Sequence, residues 1–263
     1  MVDLSNDWDE MEWQGLRTLL SLRFIALPKL VSLPMGLQYV SSLQNLNIWY
    51  CDSLIAIPEW ICKLISLQSL DIRNCPNLES LPERIGALTS LQTLQIMDCP
   101  NLESLPEGIG ALTSLQTLRI GCCPKLESLP EGFSALTSLQ TLGIGFCPNL
   151  ESLPEGFGAL TSLQTLRIEK CPILRERCEK QIGEDWHKIS HIPNLVLIPK
   201  PFEFRYLKVY HCTPNLQFKK KKKKKNPKAQ FFFSIVLSQR LHFLVIKFQM
   251  KKNHRNLIIR IGS

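Results

Sequence analysis

Apolar positions along most of this chain recur with one long, fixed period. The run Leu91-Gln92-Thr93-Leu94-Gln95-Ile96-Met97-Asp98-Cys99-Pro100 returns as Leu115 to Pro124, Leu139 to Pro148 and Leu163 to Pro172. Looser copies start at Leu19, Leu43 and Leu67, so all seven starts lie 24 residues apart with no insertion. The template is L-x-x-L-x-I-x-x-C-P-x-L-x-x-L-P-E-x-x-x-x-L-x-S, and its positions are numbered here as slots 1 to 24. Slots 4 and 6, such as Leu94 and Ile96, are two apart and share one face of a short strand. Slot 9, such as Cys99, lies where the chain leaves that strand, and Leu102 and Leu105 turn inward after it. Pro106 prevents a strand or helix from running on unbroken. Ile109 and Leu112 then supply the apolar side of a short helical or 3-10 return.

A single coil of this kind leaves both of its flat sides open. Stacking closes them, and each buried Leu contributes roughly 1.5–3 kcal/mol. The strands are expected to pair in parallel and line a concave face, with the proline-containing returns on the convex side. Stability then becomes a sum over neighbouring coils. The template is similar to the leucine-rich-repeat consensus L-x-x-L-x-L-x-x-N/C-x-L. The expected fold class is therefore α/β: a leucine-rich-repeat solenoid, or horseshoe, with a parallel concave sheet and short helical, 3-10 or irregular convex returns. Seven coils occupy 19–172, a partial return of a further coil occupies 1–18, and a capping segment covers 173–198. In the partial return, Trp13 and Leu16 fall in the slots of Ile85 and Leu88.

Composition changes this picture in two places. The formal net charge of +8 is unevenly spread. Residues 1–195 hold 14 Lys+Arg against 22 Asp+Glu, whereas residues 196–263 hold 17 Lys+Arg against the single acid Glu203. The body is thus acidic, and the basic character belongs to a tail over 199–263, expected to be disordered or non-native. The lysine run Lys219–Lys225 reads as a nuclear-localisation or nucleic-acid patch, as a solvated tract, or as translated non-coding sequence. The last reading rests on the dominance of Phe, Lys, Asn and Ile over 218–260, residues whose codons can be A/T only. Phe204, Leu207, Val209 and Cys212 match slots 1, 4, 6 and 9 and read as a decayed further coil. The apolar stretch Phe231–Phe248 is interrupted by Arg240, His242 and Lys247, which argues against a membrane span.

The ten cysteines are not expected to form a disulfide framework. Cys51, Cys75, Cys99, Cys123, Cys147 and Cys171 all occupy slot 9, and Leu27 takes it in the first coil. They are expected to be buried thiols packed as small apolar groups. No signal peptide or Asn-x-Ser/Thr sequon is visible, so a reducing, cytoplasmic setting is expected. Cys171, Cys178, His187 and His191 could be drawn as a zinc site. The Cys spacing is longer than usual for zinc, and Cys171 already belongs to the ladder. No metal, cofactor or small-molecule substrate is expected, and no enzyme activity.

Slots 5, 7 and 8 vary freely between coils while the core slots hardly change. These side chains are expected to face the concave side, and they are rich in Arg and aromatics, the residue types that anchor protein interfaces. The candidate protein-binding residues are Trp49, Tyr50, Arg73, Arg119, Phe146 and Arg167.

The closing segment carries a family resemblance. Cys171-Pro172-Ile173-Leu174-Arg175-Glu176-Arg177-Cys178, followed by Gly183-Glu184-Asp185-Trp186-His187-Lys188-Ile189-Ser190-His191-Ile192-Pro193, resembles the end of plant intracellular nucleotide-binding leucine-rich-repeat disease-resistance proteins. Leu102-Glu103-Ser104-Leu105-Pro106-Glu107-Gly108 and Leu27-Pro28-Lys29-Leu30-Val31-Ser32-Leu33-Pro34 resemble repeats of the same family. The resemblance covers roughly residues 8–198. It implies a recognition module that senses pathogen molecules or the host proteins they modify, and that restrains a nucleotide-binding switch. That switch needs a P-loop, G-x-x-x-x-G-K-[ST]. No Gly-Lys dipeptide occurs here, so nucleotide binding is not implied for this chain. The chain reads as a fragment or truncated paralogue of such a receptor. Its expected partner is a protein: an effector, a host target or a signalling domain of the same receptor. Nucleic-acid and membrane partners are not expected. A generic leucine-rich-repeat scaffold and a basic-tail binder of nucleic acid or acidic membrane are the competing readings.

Overall fold

In the computed structural model the description covers residues 16–198 and two short strands, 246–248 and 256–261. Each coil contributes one strand of five residues. These are β1 (Ser21–Ile25), β2 (Asn45–Trp49), β3 (Ser69–Arg73), β4 (Thr93–Met97), β5 (Thr117–Gly121), β6 (Thr141–Gly145) and β7 (Thr165–Glu169). All pair in parallel with their neighbours, and identical slots face each other: Leu70, Leu94, Leu118 and Leu142 form one row and Ile72, Ile96, Ile120 and Ile144 another. The fixed 24-residue spacing leaves no other register, because a slip of one residue would turn every buried side chain outward.

The return of each of the first six coils is a 3-10 turn, as at Glu59–Lys63, Glu107–Ala111 and Glu131–Ala135. Pro58, Pro106 and Pro130 stand immediately before these turns, where a missing N–H costs no hydrogen bond. The sequence left the role of slot 17 open, and the structure explains its glutamates. Glu59 Oε1 accepts from the Glu83 N–H at 2.8 Å, and Glu107 Oε2 accepts from the Gly132 N–H at 3.0 Å. Each carboxylate thus satisfies a donor at the start of the next coil's return.

The core runs the length of the stack. Leu91, Leu94, Ile96, Cys99, Leu102, Leu105, Ile109 and Leu112 of one coil are all at most 5% exposed. The thiol ladder is present as expected. Cys51, Cys75, Cys99, Cys123, Cys147 and Cys171 are buried free thiols. Each Sγ reaches the slot-7 carbonyl of its own coil, as in Cys123 to Gly121 O at 3.4 Å and Cys99 to Met97 O at 3.5 Å. Burial pushes the Cys99 thiol up from its ordinary value. Cys147 is pushed up to about 12, first by its hydrogen bond with Cys123 and then by burial. Thiols this hard to ionise are poor nucleophiles and poor metal ligands.

The C-terminal segment closes the stack with two short helices, α1 (Pro172–Arg177) and α2 (Trp186–Ile189). It then adds an eighth parallel strand, β8 (Asn194–Ile198), beside β7. Within the tail, β10 (Asn256–Ile261) pairs in parallel with β1, and β9 (Ile246–Phe248) pairs antiparallel with β10. The lysine run, the decayed coil at Phe204–Cys212 and Trp13 lie outside the described residues. Leu16 packs against the core, and its carbonyl accepts from the Leu19 N–H at 2.9 Å, as Leu64 does for Leu67.

The cap is held by a buried ionic cluster. Lys188 and Asp185 are 3% and 1% exposed. The Lys188 ammonium lies 3.0 Å from Asp185 Oδ1, 2.8 Å from Glu155 Oε1 and 2.9 Å from the Leu153 carbonyl. Asp185 Oδ2 accepts from the Leu153 N–H at 2.9 Å, and from Arg177 Nε at 3.3 Å. One backbone unit of the sixth coil, Leu153, is therefore satisfied on both sides by side chains of the cap. Burial pushes the Asp185 carboxyl up, but hydrogen bonds from Arg177, Leu153 and Lys188 outweigh this and hold it below its ordinary value.

Candidate recognition face

The strands present slots 3, 5 and 7 to the concave side, because slots 4 and 6 are buried. Strict alternation would send slot 8 inward with them. It does not go there. Ala26, Tyr50, Asn74, Asp98, Cys122, Phe146 and Lys170 all have φ between 54° and 58°, the left-handed region. That kink turns slot 8 out to the rim of the face and sends slot 9 inward. The slot-8 N–H continues the ladder, as in Tyr50 N–H to Arg73 O at 3.0 Å and Phe146 N–H to Glu169 O at 2.8 Å. A left-handed conformation costs a residue with a Cβ about 1–2 kcal/mol. The rim is thus a strained position built into every coil, and the sequence pattern gave no sign of it.

The six candidate residues divide into two groups. Trp49 and Arg73 belong to a closed network over β1 to β4. The Trp49 ring has the Arg23 guanidinium 5.9 Å away and the Arg73 guanidinium 5.6 Å away. Arg73 also pairs with Asp71 at 2.7 Å and donates to Gln95 Oε1 at 2.9 Å. Asp71, only 6% exposed, accepts from Asn47 Nδ2 at 3.4 Å. Asp98 lies close to this group. Burial raises its carboxyl, and the Arg73 charge opposes the shift. Tyr50 stands at the rim, 47% exposed.

Arg119, Phe146 and Arg167 form the second group, over β5 to β7. Arg119 and Arg167 are exposed and lie in register on either side of Gly143. Among the described residues, a Cβ placed on Gly143 would meet only Arg119 Cγ, at 3.6 Å. Arg167 pairs with Glu169 at 3.0 Å across a half-exposed surface. Among the described residues, Arg119 has no ion-pair partner. The Phe146 ring carries the Lys170 ammonium 4.3 Å from its centroid. Beyond β7, Val196 continues the row next to Arg167 and is 37% exposed.

Sequence reasoning passed over Arg23, Asp71 and Gln95, although all three sit in slot 5. It also passed over Lys170, whose slot 8 was read as a surface position without its turn. Cys171, Cys178, His187 and His191, which could be drawn as a zinc site, are not assembled into one. Cys171 and Cys178 are buried, burial pushes Cys178 up to about 12, and His187 is exposed with Nδ1 on the Glu184 carbonyl at 2.8 Å. Among the described residues, no cluster of three or more His, Cys, Asp or Glu side chains could hold a metal ion. No described helix is long and apolar enough to cross a membrane.

Parallel five-residue strands, 3-10 returns and a slot-9 thiol ladder are the observations that a family comparison must match. The family model described as "Leucine-rich repeat region" matches residues 59–254. The chain belongs to the leucine-rich repeat family. A solved relative has the same fold: the leucine-rich repeat domain of the type III effector XCV3220 (XopL). It is 24% identical, the likeness covers 71% of each chain, and the TM-score is 0.54. This likeness speaks for the fold alone. As a member of this family the chain is a non-enzymatic scaffold for protein interaction. Two curated relatives from Solanum bulbocastanum match over a short stretch. Disease resistance protein RGA2 is 82% identical and Putative disease resistance protein RGA4 is 73% identical, each over 22 residues. That stretch is 8% of this chain and 2% of either relative, so the chain's match spans a small fraction of their length.

Proposed function

We propose that the chain is a protein-recognition module of a plant immune receptor, working in the cytoplasm and reading its partner with the concave face. The short matches to two Solanum disease resistance proteins carry this reading. The closing segment over 171–193, which resembles that receptor family, supports it. So does the concave face, where exposed Arg119 and Arg167 stand on the hydrogen-bonded strands β5 and β7 and exposed Tyr50 follows β2 at the rim. Rigid presentation lowers the ordering cost of binding. The partner is a pathogen effector, the host protein it modifies, or the nucleotide-binding portion of a receptor that the module restrains.

The test uses the full chain and the nucleotide-binding portions of RGA2 and RGA4 in a purified binding assay. It is repeated with Phe146→Ala plus Tyr50→Ala, and with a convex variant, Glu103→Ala. Loss of binding with the concave pair alone supports the proposal. Binding lost equally with the convex variant, or absent throughout in both this assay and a leaf cell-death assay, refutes it. A general interaction scaffold is the reading that then remains.

A further inference from the structure

Two arginines lie in register on neighbours of one glycine strand position, in a body whose charge is otherwise acidic. The body over residues 1–195 carries 22 acids against 14 basic residues. On the concave side of β5 to β7 the balance reverses, with Arg119, Arg167 and Lys170 facing Glu169 alone. Adjacent strands lie about 4.8 Å apart, so the stems of Arg119 and Arg167 rise about 10 Å from each other. Gly143 is the floor between them, puts no side chain into that space, and has only Arg119 Cγ near it among the described residues. On β1 to β4 the basic side chain Arg73 is already held by Asp71, Gln95 and Trp49, and a new acid there would have to displace these partners. Arg119 has no such partner among the described residues.

We infer that the Arg119–Gly143–Arg167 notch clamps a carboxylate side chain of an acidic partner segment. A neighbouring apolar side chain of that segment rests against Val196. Guanidinium and carboxylate match as planar forks, and two donors from opposite sides can hold one carboxylate in place. The glycine floor lets the carboxylate descend between the stems, where the strand backbone excludes part of the solvent. Val196, 37% exposed one strand beyond Arg167, supplies the apolar footing. The partner segment is therefore acidic with an adjacent large apolar residue. A basic or a purely apolar segment does not fit. This inference rests on the concave-face reading above and narrows it to a ligand chemistry.

The experiment uses the full chain with Lys219–Lys225 replaced by glutamine, which removes a second element able to attract anions. The probe is a fluorescein-labelled hexapeptide with two adjacent glutamates followed by Leu and Phe. Its counterpart has glutamines in place of the glutamates. Anisotropy titrations are run at low and at physiological salt. The expected result is binding of the glutamate peptide at least about 10-fold tighter than the glutamine peptide. Arg119→Glu plus Arg167→Glu should weaken it about 100-fold. Lys125→Glu, exposed and paired with Glu103, alters the net charge in the same sense and is expected to change binding less than about 3-fold. All three sites are at the surface, and circular dichroism confirms that the variants stay folded. Equal binding of both peptides, an undiminished affinity in the double arginine variant, or an equal loss with Lys125→Glu would each overturn the inference. A receptor partner that is lost with Phe146→Ala plus Tyr50→Ala but kept by the double arginine variant would leave the concave-face reading standing and remove this one.

Discussion

Lys188→Met tests the account of how the solenoid ends. The methionine keeps the stem and removes the ammonium. Three interactions go with it: the 3.0 Å pair with Asp185, the 2.8 Å pair with Glu155 and the 2.9 Å bond to the Leu153 carbonyl. Glu155 is 83% exposed at its side chain, so its loss is screened and counts for little. Asp185 is different, because it is 1% exposed and keeps only Arg177 and the Leu153 N–H. Breaking one partner of a buried pair costs about 3–5 kcal/mol. The remaining Arg177 contact places the expected loss near the lower end, about 3 kcal/mol. Because stability is shared between neighbouring coils, this loss should show as undocking of the cap before the middle coils open. The assay is hydrogen exchange on the full chain, reading the Leu153 amide and the amides of β8. In the variant their protection should fall about 100-fold while those of β4 stay unchanged.

The same cluster predicts a pH dependence. Asp185 is held below its ordinary value of 3.8. A depressed carboxyl contributes stability above its unfolded value and loses it as pH falls through the folded one. Cap protection should therefore be full at neutral pH and collapse in acid below about pH 4. For Lys188, burial pulls the ammonium down, but the bonds and charges of Glu155 and Asp185 outweigh this and raise it. Its contribution holds below the unfolded lysine value and is lost only as pH rises beyond it. A Lys188→Met loss under about 1 kcal/mol, or cap protection unchanged between pH 7 and pH 3, would refute the reasoning.

Three further outcomes follow from the coil geometry. Leu118→Asp places a carboxylate at a fully buried row between Leu94 and Leu142, and should unfold the middle coils, with circular dichroism showing loss of more than about 4 kcal/mol. Ala26→Gly relieves a left-handed residue at φ 56° whose side chain is exposed, and should stabilise the chain by about 1 kcal/mol in urea titration. Gly110→Ala would bring a Cβ within 2.2 Å of the Gly132 carbonyl between two returns, and should cost about 1–3 kcal/mol in the same assay.

Much of this molecule could be read from its residues. Leu94 and Ile96, two apart and repeated every 24 residues, require short parallel strands that stack, since neither side of one coil can be buried alone. Cys99 and its equivalents were legible as core because they fall where the chain turns back inward. The exposed row of Arg119 and Arg167 was legible from variation at slot 5 against a constant background. The grouping of these residues was not legible. Gly143 matters only because it stands in register between Arg119 and Arg167, and register is a property of the stacked sheet. The same holds for Arg73, whose charge is consumed by Asp71 of its own strand and Gln95 of the next.

Two features needed the tertiary structure altogether. The left-handed turn at slot 8 is occupied by Ala, Tyr, Asn, Asp, Cys, Phe and Lys, with no glycine to announce it. It exists because the ladder continues through that N–H while the next residue must reach the core. The cap is the other. Lys188 and Asp185 look like surface charges in a polar helix, and nothing local says that Leu153, more than thirty residues earlier, presents an unpaired N–H and carbonyl to them. Periodicity is a local signal repeated, so the sequence alone determined the coil, its core and its stacking. The closing of the stack and the sorting of its concave charges depend on residues brought together across coils, and only the folded chain decided them.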